Sequence, residues 1–400
     1  MQTEASEKSK KIVHAKIATD EWLFIVLFGF WFFVCCMYDS EWRRITDLKT
    51  LRSAAGYGAY FVCIWVFFFN RTAFNVKRFM AAAAFMIVAL ISGSLSGNEL
   101  IPVCTAWIIA ARNMDKDRIV RVVCIITVCS MLIIFASVLL GFIPSLTEES
   151  EILRNRMKLG YTYTSYSSHF MLFVTLMAMS AVKKPPVWLG LILIGANYVI
   201  YLMTDTRVDL LLAVAGVLAA FLFSRIKLND KYARVLAVLA CLVPVFLLVI
   251  SYAAQYFYDP ADPVWIRLNE VFNSRLVLGH DMMMSTPHTL LGQKIKWITA
   301  SRMSAKKPYN YVDNFYLHCG LNQGILYLAF IVGGYAYALR SLVRQRKLAM
   351  ASAVMVVLLH GLVDPQMGSL YWQPFIIFLA LCFEEEDNKN ICSMISGEPT

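Results

Sequence analysis

Two pairs of side chains could do acid–base chemistry in this chain. In VDNFYLHCGLNQGILYLAF (residues 312–330), Asp313 precedes His318, and in LLHGLVDPQ, His360 precedes Asp364 by four residues. An imidazole oriented by a carboxylate titrates near neutral pH and can take a proton from a hydroxyl. On a helix of 3.6 residues per turn, Asn314, His318 and Asn322 recur at i, i+4 and i+8 and form one polar stripe. Facing lipid, that stripe would be costly, so it should face a bundle interior or a wet cavity. Hydrogen-bonded glue between helices is the plainer alternative. Asp313 stands at the outer end, where it can cap the helix or orient an Arg. His360 and Asp364 end a separate apolar run and bring a second His and Asp to the same level.

A second group is cationic. The stretch EILRNRMKLGYTYTSYSSHF (151–170) holds Arg154, Arg156 and Lys158, a Gly160 hinge, then Tyr161, Tyr163, Ser165, Tyr166, Ser168 and His169. Guanidinium forks match phosphate oxygens in pairs, and aromatic faces stack on sugar rings. Tyr at a lipid–water boundary also serves as simple anchoring. In TDTRVDLLL (204–212), Arg207 and Asp209 stand at the mouth of an apolar run. An Arg there adds its charge to the free N–H groups of a helix start and favours an anion. Capping by Asp205 or Thr206, with Arg207 snorkelling, is the structural alternative. In 264–295, apolar spacing predicts a surface helix beginning at Arg275 and ending by Pro287. His280 and His288 carry no ligand pattern. Asp115-Lys-Asp117 has the DxD shape of a nucleotide-sugar site, but its Arg and Lys neighbours favour ion pairing.

The elements that must hold these groups are membrane helices. The 400 residues are 59% hydrophobic with a mean hydropathy of +0.59, well above the roughly 45–50% usual for soluble domains. Runs able to cross about 30 Å of hydrocarbon fall at 21–37, 53–70, 79–93, 99–111, 119–143, 163–182, 187–203, 208–224, 233–257, 313–338, 348–363 and 370–383. The expectation is therefore an all-α, polytopic integral membrane protein of about twelve transmembrane helices, forming one membrane domain over 1–400. It would have a cytoplasmic N-terminal segment (1–20), a large extracytoplasmic loop (258–312) between helices 9 and 10, and a cytoplasmic tail (384–400). The polar, Lys-rich start does not read as a cleavable signal peptide, so the first apolar run is expected to stay as a membrane anchor. With that start inside, the inner segments hold 22 of the 37 Lys and Arg, as the positive-inside rule asks. The remaining cations mass in outer loops, which reads as a basic site for an anionic ligand or as contacts to anionic head groups. The ten Cys lie mostly in apolar runs and read as buried hydrophobes. No His or Cys spacing resembles a zinc site, so no metal and no cofactor are expected.

Arg275–Leu276, then Leu291–Gly292, then VDNFYLHCGLNQGILYLAF, together resemble the Wzy-type polysaccharide polymerases of the O-antigen polymerase and ligase superfamily, particularly the capsule and exopolysaccharide branch. RMKLGYTYTSYSSHF and TDTRVDLLL fit the same order, and HGLVDPQ resembles the polar end of a late helix, with Asp where Glu is the family's acid. The resemblance covers roughly residues 150–370. It implies a metal-independent glycosyltransferase on the outer face of a bacterial plasma (inner) membrane. Such an enzyme moves a growing glycan from undecaprenyl diphosphate to the non-reducing end of an incoming lipid-linked repeat unit. Both donor and acceptor are undecaprenyl-diphosphate-linked oligosaccharides, a flippase and a chain-length regulator are possible partners, and no nucleic acid is involved. On this resemblance Arg154, Arg156, Arg207 and Arg275 bind diphosphate, and Tyr161, Tyr163, Asn314 and Tyr316 contact glycan. His318 or His360 is the base, and Asp313 or Asp364 its orienter. A ligase shares nearly all these features. A polyprenyl-phosphate-sugar glycosyltransferase would rest on Asp39 or Glu41, and a lipid-oligosaccharide flippase would need a cationic cavity.

Overall fold

The computed structural model describes residues 2–69, 76–148, 156–299 and 309–384, with side chains described for 20–66, 76–146, 156–299 and 309–384. The described chain is almost wholly helical. In order it forms α1 (Gln2–Tyr38), α2 (Leu48–Phe69), α3 (Val76–Ser96), α4 (Leu100–Ala110), α5 (Lys116–Leu139), α6 (Tyr166–Ala181) and α7 (Val187–Thr204). Then follow α8 (Arg207–Phe223), α9 (Asp230–Tyr256), α10 (Pro263–Val271), α11 (Arg275–Ser285), α12 (Phe315–Asn322), α13 (Ile325–Arg344) and α14 (Leu348–His360). Among the described residues, six segments are long and apolar enough to cross a bilayer: 20–38, α3, α5, α7, α9 and α13. Helices α4 and α14 and a 3-10 helix, Pro374–Phe383, are apolar but shorter.

Three expectations change shape. The run 370–383 is not an α-helical crossing: ten residues of 3-10 helix rise only about 20 Å, short of the roughly 30 Å of hydrocarbon. That segment is instead buried among α3, α4, α5 and α13. The run 163–182 shortens to α6, because residues 163–165 form a turn ahead of it, whereas 208–224 is matched within one residue at each end by α8. The run 313–338 is two helices, broken at Gln323–Gly324. The surface helix does begin at Arg275, as its pattern predicts, preceded by the separate α10.

The break has a local cause. Gly324 takes φ 93° and ψ 160°, a region open essentially to glycine alone. Breaking a helix frees backbone groups that lipid could not satisfy, and the loop after α11 satisfies them. Ile325 and Leu326 donate their N–H groups to the carbonyls of Thr289 and Leu290 (both 3.1 Å), while Gln293 N–H donates to Asn322 O at 3.0 Å. Ser92 Oγ from α3 donates to Gln323 O at 2.7 Å. Gly292 faces Gly324 so closely that a Cβ on Gly324 would lie 2.3 Å from Gly292 N.

The end of α12 is tied to the end of α14. Phe315 N–H donates to Gly361 O (2.8 Å), Asn314 Nδ2 to Leu362 O (3.0 Å) and Tyr316 Oη to Leu358 O (3.0 Å). Asn314 also caps α12 by accepting from Leu317 N–H. Gln373 Nε2 donates to Tyr335 Oη and Met367 O, pinning the 365–373 loop to α13. All nine described cysteines are free thiols. The Asp115 side chain caps α5, and Asp117 pairs with Lys347 at 2.5 Å, so the DxD is structural.

Gly324→Ala should destabilise the fold by at least the 1–3 kcal/mol, on the order expected for a glycine-only backbone state, because its Cβ also strikes Gly292. Thermal unfolding in detergent checks this; an unchanged midpoint would contradict the docked break.

Candidate functional site

A cavity of about 380 Å³ opens where the segments before α6, before α12 and after α14 meet the start of α4. Its wall is rich in hydroxylated and aromatic side chains: Tyr163, Tyr166, Tyr309, Tyr311, Tyr371 and Trp372. Asp313, His318, Asp364 and Arg43 supply the ionisable groups. The ties between α12 and α14 place Asp313 and Asp364 on the same wall. Trp372 is fixed by Tyr166 edge-on at 4.5 Å and by Phe170 stacked at 4.5 Å. His318 is wedged between Trp297, stacked at 4.6 Å, and Tyr311.

Asp313 accepts a hydrogen bond from Tyr309 Oη at 3.2 Å and lies 3.8 Å from Arg275 Nε. Burial raises its carboxyl to about 6, against the pull of the Arg275 guanidinium, and the neighbouring Asp364 charge adds to the rise. A carboxyl with that value is half-ionised in the range where a general base works best.

Beneath the wall lies a buried charge cluster. His169 of α6 places Nδ1 2.8 Å from Asp209 Oδ2 and Nε2 3.2 Å from Asp364 Oδ2. Asp209 of α8 reaches His360 Nε2 of α14 with its other oxygen, at 3.2 Å. The two imidazoles meet edge to face, 5.1 Å between ring centres. Asp364, 14% exposed, is the member that reaches the cavity; Asp209 is 2% exposed. Asp364 is held from the other side by the N–H of Gln366 at 2.8 Å.

The residues singled out by sequence scatter across this picture. Asp313, His318, Asp364 and Tyr163 line the cavity, and His360 lies behind it in the cluster. Tyr161 and Tyr316 are buried core residues, and Asn314 is a cap and inter-helix tie. Arg154 lies outside the described residues. Arg156 donates from Nε to Thr204 O at 2.6 Å and from Nη2 to Thr206 Oγ1 at 3.4 Å, bracing the α7–α8 turn. Arg207 is 62% exposed, pairs with Asp205 at 3.5 Å and does not line the cavity. Among the described residues the guanidinium that does is Arg43, from the first loop.

His169 and Asp209 carried no assigned role at the sequence level, although both stand in the stretches singled out. A usable signal was present: each is an ionisable group a few residues inside an apolar helix, where such groups are functional by default. The chain matches no family model, no curated protein and no solved structure.

His169→Ala would strip both buried carboxylates of a shared partner. Removing one member of a buried ion pair typically costs about 3–5 kcal/mol, and a loss of that size is expected in detergent unfolding. His169→Gln, which restores polar contacts without charge, should recover part of it. Equal stability of wild type and His169→Ala would contradict the cluster.

Proposed function

We propose that the chain is a glycosyltransferase that polymerises lipid-linked oligosaccharide repeat units. It would transfer a growing glycan from undecaprenyl diphosphate to the non-reducing end of an incoming undecaprenyl-diphosphate-linked unit, in capsule, exopolysaccharide or O-antigen synthesis. On this reading the protein is multi-pass in the bacterial plasma membrane, with twelve membrane-entering segments, residues 258–312 outside and the cavity on the extracytoplasmic face. The observation that carries it is the cavity wall: a tyrosine-rich hollow that includes Trp372 and a carboxyl, Asp313, held near 6 by burial.

The chemistry follows from the wall. The acceptor hydroxyl attacks the anomeric carbon of the donor sugar, and its proton passes to Asp313 or to His318, both on the cavity wall. The bond from that carbon to the diphosphate oxygen breaks, and the oxygen leaves with the electron pair. Arg43 on the wall and Arg275 beside Asp313 neutralise the leaving charge. Sugar rings stack on Trp372 and Tyr166. Arg156 and Arg207 act at one remove, by shaping the loops. Among the described residues the wall carries one guanidinium, Arg43, beside the carboxylates of Asp313 and Asp364, which counts against the cationic cavity a flippase needs.

A specific observation favours a second reading, a polyprenyl-phosphate-sugar glycosyltransferase resting on Asp39. This residue is 7% exposed, has a carboxylate oxygen with no hydrogen-bond partner among the described residues, and is raised by burial to about 7 against the pull of Arg52 and Arg43. Its carbonyl accepts from Thr162 N and Oγ1, both at 3.0 Å, so it sits against the cavity wall.

Proteoliposomes supplied with undecaprenyl-diphosphate oligosaccharide separate the two. Arg43→Ala and Arg275→Ala should each slow chain growth by about 100-fold or more, the loss typical of removing one transition-state donor. The wild-type rate should fall as pH drops through about 6, because Asp313 must be ionised to accept a proton. That limb should vanish in Asp313→Asn. Full growth in Asp313→Asn with none in Asp39→Asn would transfer the assignment to the second reading.

A further inference from the structure

The cluster beneath the cavity has the donor set of a metal centre. We propose that His169, His360 and Asp364 bind one divalent transition-metal ion of the zinc type, with Asp209 as the carboxylate that orients both imidazoles. This goes beyond glycosyl transfer and does not depend on it. It departs from the sequence expectation of no metal, which looked for local His or Cys spacing, whereas these donors lie far apart in the chain.

One nitrogen from each imidazole and one Asp364 oxygen lie within 4.8 Å of one another. Two ligands of a tetrahedral zinc, each about 2.0–2.1 Å from the ion, stand about 3.3 Å apart. His169 Nε2 and Asp364 Oδ2 are 3.2 Å apart already. Asp209 occupies the opposite nitrogen of His169, Nδ1, and one nitrogen of His360, Nε2. A carboxylate behind a histidine is how metal sites fix tautomer and ring orientation, and here one carboxylate serves two rings. His360 Nδ1 is buried and has no hydrogen-bond partner among the described residues.

Charge points the same way. Among the described residues neither Asp209 nor Asp364 has a Lys or Arg within ion-pair distance; their ion partners are imidazoles, His169 and His360 for Asp209 and His169 for Asp364. A dication balances both carboxylates while leaving the imidazoles neutral, the form in which they ligate. Two nitrogens with one carboxylate suit zinc, copper or nickel over calcium or magnesium, which take oxygen. Bound there, the ion ties α6 to α14 and fixes Asp364 at the cavity wall.

The test uses the full chain in detergent, stripped with chelator, loaded with Zn²⁺ and dialysed. Elemental analysis should find one zinc per chain, and zinc should raise the unfolding temperature. Co²⁺ in place of zinc should give the visible absorption of a low-symmetry, nitrogen-bearing site. His360→Ala and Asp364→Asn should lose the metal and the absorption. Asp209→Asn should keep the stoichiometry at saturation and weaken affinity about 10–100-fold. Wild type that retains no zinc, gains no stability and gives no cobalt band would overturn the proposal. So would a folded His169→Ala/His360→Ala double variant that binds as much metal as wild type.

Discussion

Asp209 enters the protein interior on the first turn of α8 and meets an imidazole with each of its oxygens. A carboxylate so buried is stable only when its partners are close and fixed. That demand sets the spacing of three helices, since His169 arrives on α6 and His360 on α14. His169 then turns its remaining nitrogen to Asp364, which holds the loop after α14 against α6. The cavity exists because this loop, with Trp372 packed on Phe170 and Tyr166, forms its wall.

A second constraint meets the first at that wall. The helix broken at Gly324 leaves α12 as a short piece whose ends are tied to α14 and to the loop after α11. A continuous helix could not bring Asp313 beside Asp364 while leaving α13 packed along α9. The long loop thus has a structural duty, completing the backbone hydrogen bonds of the break. It also delivers Arg275 to Asp313.

Helical character and membrane affinity were legible in the sequence because they are summed over many apolar residues. The chemistry-bearing stretches were legible too: the segments 161–169, 204–209, 313–318 and 360–364 all reach the cavity or its cluster. What the residues do there was not. Exposed Arg207 and loop-bracing Arg156 look identical in sequence to phosphate ligands, since a guanidinium's partner is set by tertiary contacts. Tyr161 and Tyr316 read as glycan contacts but are swallowed by the core. The helix break hid behind a smooth apolar run, because Gly324 needs Gly292, thirty-two positions earlier, to make sense. Arg43 was counted only among the cations massed in the outer loops.

The most direct measurement is cryo-electron microscopy of the full chain in a lipid nanodisc with an undecaprenyl-diphosphate oligosaccharide bound. The account expects sugar density inside the hollow against Trp372 and Tyr166, with phosphate density at Arg43 and Arg275. An empty hollow, with the lipid head group bound instead at the Arg156–Arg207 surface, would contradict it.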